Sequence, residues 1–112
     1  MIKINSEDFV AGGFSVEDML ELSALLEKAG IDAIKLSGGT DSKASKYSPV
    51  RTGPLTKESE VYYREAARRF KQRIQVPLIL VGGIRSPDMA ERLVAEATAD
   101  CIALSRPLIC EP

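Results

Sequence analysis

The chain has 112 residues, of which 45% are hydrophobic and 28% charged, with a net charge of −1. These values fit a single globular domain with a modest core. Charges of both signs are interspersed, and no apolar run approaches the roughly 20 residues that span a bilayer. The composition therefore favours neither a nucleic-acid partner nor a membrane. The first residues do not resemble a signal peptide, and Cys101 and Cys110 lack the spacing of metal ligands. We expect a cytoplasmic, reduced protein in which Cys101 is a small core residue.

The first third of the chain predicts a strand, a helix and a second strand. Ile2–Asn5 alternates apolar and polar residues, as a short strand does. Ser15 followed by Asp18 is a capping pattern that predicts the start of a helix, and Gly30 predicts its end. Residues 31–37 form the next apolar run, which predicts a strand that ends at a pair of glycines.

The remainder of the chain repeats this alternation after a polar loop. Residues 39–54 show no periodicity, and we expect a loop that either covers a ligand site or is solvated. Thr56 is predicted to open a second helix. Residues 76–81 predict a third strand, Ser86 caps a third helix with proline at its first position, and Cys101–Leu104 predicts the last strand.

Strands that alternate with helices predict right-handed crossovers and a parallel sheet. The third and fourth strands are apolar at successive positions, so both of their faces are expected to be covered. Four such strands fit either an open doubly wound sheet or half of a (βα)₈ barrel, and composition does not separate these two folds.

Glycine or Ser-Arg turns follow three of the four predicted strands at their carboxyl ends, where parallel α/β folds bind ligands. Gly82-Gly83 follows the third strand and Ser105-Arg106 follows the fourth. Glycine lets a backbone approach an anion, a following helix presents N–H groups, and an arginine suits phosphate oxygens. The pattern predicts a phosphate site, although a Gly-Gly pair is also common in a simple tight turn. The P-loop and dinucleotide-binding patterns are absent from the sequence.

Four segments carry a family resemblance: IKINSEDFVAGGFSVED, GIDAIKLSGGT, VPLILVGGIRSP and ADCIALSRPLICEP. In this order they resemble the C-terminal half of the barrel in the old yellow enzyme family of FMN-dependent NADH:flavin oxidoreductases and ene reductases. The resemblance implies an α/β fold, the parallel (βα)₄ half of a TIM (βα)₈ barrel. It also implies that residues 1–112 are a fragment of a larger chain.

The resemblance further implies a set of flavin contacts. Gly82, Gly83, Ser105 and Arg106 would bind the FMN phosphate, and Lys3 would lie near the N1–O2 edge of the flavin. FMN would pass hydride from NAD(P)H to an electron-poor alkene. The His-His or His-Asn pair that polarises the substrate in this family, and its tyrosine proton donor, lie in the other half of the barrel, and this chain has no histidine. We therefore assign no catalytic residue and expect the isolated chain to be inactive.

Two other functions remain open from the residues alone. The same turns would suit another phosphate-binding barrel enzyme, or a catalytically inert half-barrel that assembles with itself. In either half-barrel, the strands at Ile2–Asn5 and Cys101–Leu104 would be open edges. Two copies pairing these edges would close an eight-stranded barrel, so we expect a homodimer or a larger assembly.

Overall fold

The computed structural model describes residues 1–52, 56 and 59–111. The described elements are β1 (Ile2–Asn5), α1 (Val16–Lys28), β2 (Ile34–Ser37), α2 (Arg64–Arg73), β3 (Leu78–Val81), α3 (Pro87–Ala95), β4 (Cys101–Ala103) and α4 (Arg106–Cys110). The predicted alternation of strands and helices is confirmed. A short helix, α4, follows the last strand and was not predicted. No helix in the described ranges has the length and apolar character needed to cross a bilayer.

The four strands form one parallel sheet in the order β1-β2-β3-β4. Their register aligns Ile4 with Leu36, Leu36 with Leu80, and Leu80 with Ile102. The carboxyl ends of all strands consequently lie at one edge of the sheet. As expected, β1 and β4 are its outer strands.

One face of the sheet packs against the helices and forms the core. Leu36, Leu78 and Leu80 are fully buried there, together with Met19 of α1 and Phe70 of α2. Because side chains alternate along a strand, this face accounts for every second residue. Burial of these apolar side chains is the main favourable contribution to the free energy of folding.

The opposite face of the sheet is open in the described part of the chain. Ile79 and Val81 are only half-buried, and Cys101 is exposed. The expectation that Cys101 is a core residue was therefore wrong. It lies on an edge strand, on the face that the helices do not cover.

The second helix begins later than its sequence predicts. Thr56 and Ser59 form a separate turn in which each side chain accepts from the other's backbone N–H. Val61 then has a φ of +66°, a conformation that interrupts a helix, and α2 starts at Arg64. Positions 57 and 58 of the predicted helix lie outside the described residues, as do positions 53 and 54 of the loop.

Candidate functional site

The structure brings four of the five predicted binding residues to one edge of the sheet. Gly82-Gly83 follows β3, and Ser105-Arg106 lies two residues beyond the end of β4, the adjacent parallel strand. Lys3 lies on β1, separated from β3 by β2. It is exposed on the open face of the sheet, where its register partner is Lys35.

The Gly82-Gly83 turn is shaped by two tyrosine rings. The φ values are +118° for Gly82 and +72° for Gly83. A Cβ atom on Gly82 would lie 2.5 Å from the ring of Tyr63, and one on Gly83 would lie 2.6 Å from the ring of Tyr62. Glycine is therefore required here by backbone conformation and by close packing together. This requirement is structural and holds whether or not a ligand binds.

The carbonyl and N–H groups of the glycine turn differ in their hydrogen bonding. The carbonyl oxygen of Gly82 accepts from Tyr62 N at 3.1 Å, and that of Gly83 accepts from Val61 N at 3.2 Å. Four backbone N–H groups at this edge have no acceptor within residues 1–52, 56 and 59–111: those of Gly82, Gly83, Ser105 and Arg106. Such N–H groups are the donors that an anion binds.

The start of α3, by contrast, is already bound to a carboxylate. Glu60 Oε1 accepts from Arg85 N at 2.7 Å and from Ser86 N at 2.8 Å. Arg85 and Ser86 immediately precede α3, so the contact of a phosphate with the N–H groups of the helix itself stays a prediction. Ser86 occupies the predicted cap position, but the side chain that caps the helix is that of Glu60. An anion at this edge would therefore not bind the N–H groups of Arg85 and Ser86, whereas the glycine turn and the end of β4 offer donors.

Arg51 lies among aromatic rings that the sequence did not group together. Its guanidinium carbon is 4.1 Å from the ring centroid of Tyr47 and 4.2 Å from that of Tyr62. The rings of Tyr63 and Phe9 are 5.4 Å and 5.5 Å away. We call these four aromatic residues the Arg51 cage. No periodicity in residues 39–54 could have indicated it, because its members come from three separate segments.

Two hydrogen bonds attach the loop after β2, and the residue that begins it, to neighbouring segments of the chain. Ser45 Oγ donates to Asp8 O at 2.8 Å, and the Tyr63 hydroxyl donates to Gly38 O at 2.7 Å. Burial raises the pKa of Tyr63, although the positive charge of Arg51 opposes this shift. The hydroxyl therefore remains a protonated donor near neutral pH, and the loop is fixed across the ends of β1 and β2.

Arg106 is exposed and is linked to this loop. Its Nη1 atom donates to the carbonyl oxygen of Arg51 at 2.7 Å. A guanidinium carries five N–H donors, so the other donors remain for a ligand. Arg106 thus joins the end of β4 to the loop that follows β2.

Comparisons with known proteins find similarity along nearly the whole chain. An NADH oxidase from Thermoanaerobacter brockii is 32% identical over 111 residues, which are 98% of this chain and 16% of that protein. An NADH-dependent flavin oxidoreductase from Talaromyces variabilis is 32% identical over an alignment of 110 positions that covers 92% of this chain and 27% of that protein. No family model matches. This chain spans only 16% and 27% of the lengths of these two relatives.

A solved structure shows the same fold. A 2-naphthoyl-CoA reductase in complex with 2-naphthoyl-CoA superposes with a TM-score of 0.77 and 28% sequence identity, covering 98% of this chain and 16% of that one. The likeness confirms the predicted α/β architecture, with four parallel strands and their helices matching half of a TIM barrel.

Replacing Glu60 by glutamine should remove a pH-dependent part of the stability. Burial raises the pKa of Glu60, but the N–H groups of Ser86 and Arg85 outweigh it and lower the pKa below its ordinary 4.5. The ionised group therefore stabilises the fold above about pH 4.5, and this contribution is lost as the pH falls through the folded-state pKa. In urea unfolding, Glu60→Gln should cost about 1 kcal/mol near neutral pH, and the cost should shrink in acid. The control, Glu91→Gln on the exposed side of α3, should change little at any pH, and a Glu60→Gln cost that stayed constant with pH would contradict this role.

The packing of Tyr62 on the turn predicts that alanine substitutions at two glycines of similar φ reduce the free energy of unfolding by different amounts. The φ is +73° at Gly12, where a Cβ would meet nothing within 4 Å, and +72° at Gly83, where it would meet the tyrosine ring. Alanine at either site incurs backbone strain of about 1–2 kcal/mol. Gly83→Ala should cost a further 1–3 kcal/mol, roughly the penalty of overpacking. Equal losses in urea unfolding would show that the ring does not constrain the turn.

Proposed function

We propose that the chain forms the C-terminal, FMN-phosphate-binding half of a flavin oxidoreductase of the old yellow enzyme family, which its similarity to NADH-dependent flavin oxidoreductases supports. The observation that carries the proposal is the position of the free N–H groups. Those of Gly82 and Gly83 and those of Ser105 and Arg106 follow adjacent parallel strands at the same edge. The loops after two neighbouring strands are a recurrent phosphate site of barrels.

The residues at this edge fit a phosphate group in charge and in hydrogen bonding. Arg106 supplies a cation with unused donors, and the unpaired N–H groups supply neutral ones. The carboxylate of Glu60 is held just before α3 by the N–H groups of Arg85 and Ser86. A phosphate dianion would therefore be bound by charge-assisted hydrogen bonds, which are stronger than neutral ones.

Lys3 would contribute at the other end of the same ligand. It lies on the open face of the sheet, which is the inner face of a closed barrel. A cation beside the N1–O2 edge of a flavin stabilises the negative charge of the reduced ring. Bound FMN would supply hydride transfer between NAD(P)H and an electron-poor alkene.

This chain would bind and orient the flavin but would not activate the substrate. It contains no histidine, and Tyr62 and Tyr63 are engaged in packing against the glycine turn. In the proposed enzyme, the remaining half of the barrel supplies the groups that polarise the substrate and donate a proton. The isolated chain should therefore not reduce enones.

Arg106→Ala in the full-length enzyme should weaken FMN retention about tenfold or more, because a hydrogen bond to a charged group contributes roughly 1.5–3 kcal/mol. Flavin absorbance after dialysis measures the retained fraction. Arg73→Ala, at the end of α2, removes the same charge far from the strand ends and should retain FMN as the wild type does. Full occupancy in the Arg106 variant would refute its assignment to the phosphate.

We also propose that the isolated chain assembles into a homodimer or larger oligomer. The edges of β1 and β4 are unpaired in the described chain, and Ile79 and Val81 are only half-buried on the open face. Two copies could cover this face and pair both edges. Light scattering should give at least twice the 12.2 kDa of one chain. Ile79→Lys on the open face should disrupt the assembly, and Leu25→Lys, on the exposed side of α1, should not. A wild-type monomer that unfolds independently of concentration would overturn the proposal.

A further inference from the structure

The Arg51 cage holds its cation more firmly than a solvated surface contact would. The guanidinium lies against two tyrosine rings at 4.1 and 4.2 Å, and two further rings lie within 5.5 Å. Cation–π attraction strengthens where water is excluded, and the Nε atom of Arg51 is buried with no hydrogen-bond partner among the described residues, so the rings are its main contacts. The side chain of Arg51 is therefore in contact with rings on several sides.

The cage also connects the loop after β2 to the glycine turn. Tyr62 and Tyr63 contact Arg51 and also pack against the turn at the positions where Gly83 and Gly82 lack side chains. The carbonyl oxygen of Arg51 is the acceptor for Arg106 Nη1. Arg51 thus touches both halves of the edge, the glycine turn through the tyrosines and the end of β4 through Arg106.

We propose that Arg51 is a positioning residue for the phosphate site. Its caged side chain fixes its backbone carbonyl, the carbonyl orients the guanidinium of Arg106, and the remaining donors of Arg106 are thereby preorganised for a phosphate dianion. This inference rests on the proposed FMN-binding function. Arg51 itself does not contact the phosphate, because aromatic rings surround its guanidinium.

The affinity ratio of FMN to riboflavin tests this role, since riboflavin lacks the phosphate. In the full-length enzyme, Arg51→Ala should weaken FMN binding roughly tenfold, the order expected for losing one well-oriented charge-assisted contact. Riboflavin affinity should stay the same. Lys43→Ala removes an exposed positive charge from the same loop and should leave the ratio unchanged, which controls for the net charge.

A double-mutant cycle separates positioning from an independent contribution. In an Arg106→Ala background, Arg51→Ala should cause little further loss of FMN affinity. Tyr47→Leu opens one side of the cage while keeping Arg51, and it provides the same test if Arg51→Ala does not fold. It should lower the FMN-to-riboflavin affinity ratio by a smaller factor than Arg51→Ala. Equal losses for FMN and riboflavin, or additive losses in the double variant, would overturn the positioning role while leaving the proposed function intact. A wild-type enzyme that bound no FMN would overturn both.

Discussion

The close approach of two tyrosine rings to a turn without side chains determines the geometry at the strand ends. Tyr62 and Tyr63 occupy the space that Cβ atoms at Gly83 and Gly82 would need. The tyrosines in turn contact Arg51, whose carbonyl holds Arg106. The glycine carbonyls accept from Tyr62 and Val61, while the N–H groups of the two glycines have no acceptor among the described residues. The arrangement of donors at this edge therefore depends on packing as much as on the turn itself.

The order and approximate positions of the strands and helices followed from local signals. Ser15 with Asp18 formed the capping box that the sequence predicted, and the glycine pair did follow β3. Contacts between residues far apart in the sequence could not be predicted from such local signals. Glu60 caps a helix 26 residues away, and the left-handed Val61 delays α2 against the local pattern. The Arg51 cage joins residues of three segments, so no periodic signal within one segment could have indicated it.

The open face of the sheet explains why the candidate site extends beyond this chain. Apolar side chains at Ile79 and Val81 and the cations of Lys3 and Lys35 share a surface that no described residue covers. In a closed barrel this surface faces the interior, where the opposite strands supply neighbours. In the proposed enzyme, this chain would provide a phosphate-binding edge and a cationic inner wall. The groups that act on a substrate would come from the opposite wall.

The position of the FMN phosphate in a crystal structure of the full-length enzyme tests this account most directly. The account predicts phosphate oxygens within about 3 Å of backbone nitrogens in both turns, including those of Gly83 and Arg106. Glu60 should remain bound to the N–H groups of Arg85 and Ser86, just before α3. A phosphate bound away from these turns, or one that displaced Glu60 from the start of α3, would contradict it.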